Sequence, residues 1–89
     1  MTKKRRKLNK DFEKKIYSSK KNVELVLAKI YDINDEDIQK EYMSAFNGIV
    51  KLYDELKEDY EQKGFNDSSD ELLKNYKNSF HLFESEFEI

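Results

Sequence analysis

The chain has 89 residues, 40% of them charged and 37% hydrophobic, with no cysteine and no proline. That length allows one domain with a modest core, the missing thiols exclude disulfides, zinc–thiolate sites and a cysteine nucleophile, and no apolar run approaches the ~20 residues of a membrane span. The net charge of −2 hides an asymmetry: residues 1–29 hold 11 Lys/Arg against three acidic residues, a balance of +8, whereas residues 30–89 hold 6 Lys against 16 acidic residues, a balance of −10.

Residues 1–9 form a basic arm with only Leu8 to bury, and such a segment is expected to fray. Helix 1 is predicted over about residues 10–31, where Phe12, Ile16, Val23, Val26, Leu27 and Ile30 keep one helical phase. The run Ser18–Asn22 has no apolar side chain and could break this helix. The phase before it matches the phase after it, which predicts a continuous helix. A turn at Asp32–Asn34 is short enough to make helices 1 and 2 antiparallel neighbours.

Helix 2 is predicted over about residues 35–63. Ile38, Tyr42, Ala45, Phe46, Ile49, Leu52, Tyr53, Leu56 and Tyr60 fall three or four residues apart and so share one side. Twenty-nine residues rise roughly 43 Å, too long a stripe to be covered by loops. Asn34 has the side chain of an N-cap, Asp35, Glu36 and Asp37 suit the positive end of the helix dipole, and Ile33 with Ile38 have the spacing of a hydrophobic staple. At the other end Gly64 is expected to stop the helix, with Phe65 folding back onto Tyr60 in a Schellman motif. Helix 3 is predicted over about residues 69–87, opened by a Ser68–Glu71 capping box and striped by Leu72, Tyr76, Phe80, Phe83 and Phe87. The expectation is an all-α, antiparallel up-down-up three-helix bundle that closes on itself, spanning residues 10–89 behind the basic arm.

Nothing in the chain assembles into a catalytic set. His81 is the single histidine; Glu84 lies one turn on, but a surface histidine in a helix is the plainer reading. A carboxylate-bridged di-metal site needs Glu-x-x-His twice, and the order here is His-x-x-Glu once. No Gly-rich phosphate loop or Ser–His–Asp set occurs. The reading is therefore a non-enzyme with no metal and no cofactor.

Surfaces remain. Leu25, Met43, Val50 and Leu82 lie off the main stripes, and together on one face they would mark a contact site for another protein. Asp54, Glu58, Asp59 and Glu61 crowd the end of helix 2, either as a solvated face or as carboxylates that imitate nucleic-acid phosphates. Ser44 and Gly48 suggest close helix packing, within the chain or against a second subunit of a homo-oligomer. Lys3, Lys4, Arg5, Arg6 and Lys7, continued by Lys10, Lys14 and Lys15, are the alternative: a nucleic-acid contact through counterion release. The leading expectation is a small cytoplasmic protein that binds another protein, in its most concrete form a regulator or inhibitor carried by a bacterial phage or mobile element. The Lys-, Asn- and Ile-rich composition of AT-rich genomes agrees with that source.

Overall fold

The computed structural model describes residues 7–87. Three helices follow one another: α1 Lys10–Tyr31, α2 Glu36–Lys63 and α3 Ser69–Phe87, with no strand among the described residues. Helix α1 runs unbroken through Ser18–Asn22. Ring pairs fix the directions. Phe12 meets Tyr60 while the Gln39 amide reaches the Ile30 carbonyl, so α1 and α2 are antiparallel. Tyr42 meets Phe87 and Tyr53 meets Tyr76, so α2 and α3 are antiparallel as well. The radius of gyration of 15.3 Å exceeds the roughly 12 Å of a spherical domain of this length, because the long axes lie side by side.

The core is three seams with steps alternating between four and three residues. They are Phe12, Ile16, Ser19, Val23, Val26 and Ile30 on α1; Tyr42, Phe46, Ile49, Tyr53, Leu56 and Tyr60 on α2; and Ser69, Leu73, Tyr76, Phe80, Phe83 and Phe87 on α3. All are buried except Ile16, Tyr42, Phe80 and Phe87, which are half-buried against the rest. This is the heptad rhythm that keeps a helix facing its neighbours. It explains why the apolar-free run of α1 holds together. Ser19 occupies a seam position, is small enough to be enclosed, and returns its hydroxyl to the Lys15 carbonyl at 2.8 Å.

Several expectations need correction. Helix α2 lies between the other two, so its buried arc is wider than one stripe, and Met43 and Val50 pack against the core instead of projecting from it. Ile38 and Ala45 fall outside that arc and are exposed. On α3 the seam runs through Leu73, leaving Leu72 half-buried. The N-cap of α2 is Asp35, not Asn34. Its carboxylate accepts from the N–H groups of Asp37 and Ile38 at 3.0 and 3.1 Å, which moves the cap one residue on and undoes the Ile33–Ile38 staple spacing. Among the described residues Gly48 packs closely against nothing, since a Cβ built there has no neighbour within 4 Å, and Ser44 is exposed beside it.

The link between α2 and α3 also differs from a Schellman motif. Gly64 has φ 74° and donates its N–H to the Tyr60 carbonyl at 2.8 Å. The Phe65 N–H, however, goes to the Lys7 carbonyl, and the Phe65 ring packs on Phe12. The end of the basic arm is therefore docked from Lys7 onward; residues 1–6 lie outside the described residues. Asn66 organises the rest of the turn, in place of the Ser68–Glu71 pair. Its side chain accepts from the Ser68 N–H and donates to Asp59 and to the Gly64 carbonyl, and its own N–H reaches the Ser69 hydroxyl.

Phe46, fully enclosed and touching Phe80 and Phe83, is expected to cost about 3–5 kcal/mol when replaced by Ala. Gly48→Ala is expected to stabilise the chain by up to about 1 kcal/mol, because the new methyl meets open space inside a helix. Urea denaturation of the two variants beside the wild type measures both.

Candidate functional site

Tyr76 on α3 and Ser19 on α1 join the two outer helices. No Cα of α1 lies within 8 Å of one in α3, so the bundle is open on this side at the level of the backbone. The Tyr76 hydroxyl crosses the gap and donates to the Ser19 carbonyl at 3.2 Å. Above this floor runs a groove of about 530 Å³. Its α1 wall presents Lys14, Lys15, Ser18, Asn22, Leu25 and Lys29, and its α3 wall presents Lys77, Phe80, His81 and Glu84. The short side chains of Ser18, Ser19 and Asn22 are what leave the space unfilled.

The lining combines two chemistries. Val26 is buried and Phe80 half-buried in the floor, while Leu25 stands on the rim with 61% of its surface exposed. Around them stand four lysines and His81 against one carboxylate, Glu84. The Glu84 oxygen lies 3.5 Å from His81 Nδ1, and the histidine side chain is 77% exposed. An imidazole that open to water has no enclosed partner to orient it, so the pair forms part of the rim. Among the described residues, no three histidine, aspartate or glutamate side chains gather as metal ligands.

The candidate residues from the sequence scatter over the molecule. Leu25 lies on this groove with Lys14 and Lys15. Leu82, 70% exposed, lies on a shallower groove between α2 and α3 with Ala45, Gly48 and Leu52. Met43 and Val50 are taken up by the core. Asp54, Glu58 and Glu61 are exposed along α2, but Asp59 is committed to the fold: it ion-pairs with Lys63 at 3.4 Å and accepts from Asn66 at 2.8 Å. Lys10 is exposed at the start of α1; Lys3, Lys4, Arg5 and Arg6 lie outside the described residues. Lys29, Lys77 and Phe80 were not singled out as a site by spacing, because α1 and α3 are not consecutive and nothing local ties their surfaces together.

Comparison with protein families, with curated proteins and with solved structures finds no match to this chain. Geometry and chemistry therefore carry the functional reading. No helix of the described residues is long and apolar enough to cross a membrane.

Burial pushes the Tyr76 hydroxyl up to about 12, and burial together with nearby Asp54, Glu24 and Glu61 raises that of Tyr53. The folded chain keeps the Tyr76 proton where the unfolded chain has already released it. That contribution to stability is whole below pH 10, the ordinary value, and is lost as pH rises toward 12. At about 1.4 kcal/mol per unit, unfolding becomes easier by roughly 2–3 kcal/mol across this window. Tyr76→Phe is expected to flatten that loss while costing about 1 kcal/mol at neutral pH, as read by thermal melts from pH 7 to 12.

Proposed function

We propose that this is a non-enzymatic protein that works by binding another protein through its helical surface, as a small regulator or inhibitor of the kind carried by bacterial phages or mobile elements and acting in the cytoplasm. The observation that carries the reading is the α1–α3 groove: a half-buried Phe80 ring in its lining, an exposed Leu25 on its rim, and a track along two helices on which a third element could lie. Helical partners commonly dock in this way, with apolar side chains in a groove and charged ones at its edge. The exposed position of His81 supports a binding role over a chemical one.

The expected outcome is that the wild-type chain retains a protein from bacterial lysate that Leu25→Asp, shown folded by circular dichroism, does not retain. Equal capture by both would remove the groove from the reading.

A second reading, nucleic-acid binding, is supported by the exposed side chains of Lys7, Lys10, Lys14 and Lys15, which continue the basic run 3–6 along α1. Contacts of this type release counterions, so affinity should fall steeply with salt. Removing residues 1–6, which leaves the docked Lys7 in place, should flatten that salt dependence in a filter-binding assay. No binding of DNA or RNA by the intact chain at low salt would end this reading.

A further inference from the structure

We infer that the occupant of the α1–α3 groove is an acidic amphipathic helix of a partner protein, lying between α1 and α3 as a fourth member of the bundle. The inference rests on the protein-binding reading and names the chemistry of the partner.

Charge is the first argument. Residues 30–89 balance at −10, and most of the molecular surface built from them repels anions. The groove is basic, as α1 is more widely (Lys10, Lys20 and Lys21 are exposed outside it): Lys14, Lys15, Lys29 and Lys77 stand around it with Glu84 as the one carboxylate. A partner with carboxylates along its flanks is drawn to this face and turned away from the acidic ones. The second argument is the apolar part of the lining. Leu25 on the rim and half-buried Phe80 offer apolar area that a nucleic-acid backbone would leave unused, whereas leucine- or phenylalanine-type side chains at helical spacing would cover it. Third, the shape is a track. From Lys14 to Lys29 the α1 wall runs roughly 22 Å at about 1.5 Å per residue, which matches about four turns of a partner helix, with lysines at both ends. No Cα of α1 lies within 8 Å of one in α3, so the backbones leave the face of the groove open to a helix laid along it.

The test uses the whole, isotope-labelled chain and three probes. Two are peptides of about 16 residues sharing one leucine face, one with glutamate and one with lysine at the remaining positions. The third is a single-stranded oligonucleotide of similar length. The glutamate peptide is expected to bind at least about tenfold more tightly than the lysine peptide, and to shift the amide resonances of Ser18, Asn22, Leu25 and Lys77. The double variant Lys14→Glu, Lys77→Glu is expected to weaken it about tenfold. Leu25→Asp should do the same without changing the melting temperature.

Three results would overturn the inference. One is equal binding of the two peptides or none of either. Another is displacement of the glutamate peptide by the oligonucleotide at matched charge. The last is a dimer of the chain alone, seen by sedimentation, that dissociates in the Lys14→Glu, Lys77→Glu variant, which would make a second copy the occupant. If lysate capture still depends on Leu25 while the peptides fail, the acidic helix is wrong and the protein-binding reading stands. If capture is indifferent to Leu25, the groove drops out of the protein-binding reading and the acidic-helix inference falls with it.

Discussion

A helix of 28 residues with apolar side chains on two flanks as well as its centre cannot be served by one neighbour. That demand of α2 dictates the rest. One flank is met by α3 through a nearly continuous run of rings: Tyr53, Tyr76, Phe80, Phe46, Phe83, Phe87 and Tyr42, with successive centroids between 4.8 and 6.1 Å apart. These separations fall where aromatic pairs attract beyond their burial. The other side is met by the mostly aliphatic seam of α1, and Met43 and Val50 pack against the same core. Because α2 takes the centre, α1 and α3 are held relative to it more than to each other.

The ends of the helices are pinned by polar groups in turn. Tyr60, a core ring on α2, carries its hydroxyl to the start of α1, where it accepts from the Asn9 N–H and donates to the Glu13 carboxylate. Asn9 caps α1 by accepting from the Phe12 N–H. Phe12 and Phe65 close over the same spot. At the opposite end the Gln39 amide donates to the carbonyls of Ile30 and Tyr31, satisfying acceptors that the end of α1 would otherwise leave open. Every buried side-chain polar atom among the described residues has a partner. A core with this few aliphatic residues depends on that, since one unsatisfied buried group costs as much as a good contact contributes.

The groove is the consequence of where large residues are missing. Between α2 and α3 the facing positions are largely rings; the α1 side of the groove includes the short Ser18, Ser19 and Asn22, and the Tyr76 hydroxyl reaches across to the Ser19 carbonyl. A small ligand in a groove this open would stay largely in water.

The three helices, their approximate limits and their order were legible in the linear pattern, because helix periodicity, capping residues and link lengths are local properties. The ends were read to within a residue, and the cap moved from Asn34 to Asp35 because neighbouring polar side chains compete for the same N–H groups. The inward turn of Met43 and Val50, the choice of Leu73 over Leu72, and the open surroundings of Gly48 depend on which helix sits in the middle, and no single helix records that. The docking of the Lys7 carbonyl onto Phe65 joins residues far apart in the chain. So does the groove. Lys14, Lys15 and Lys29 on α1 become neighbours of Lys77 on α3 only once both helices have packed on α2, since proximity between non-consecutive segments comes from packing and not from spacing.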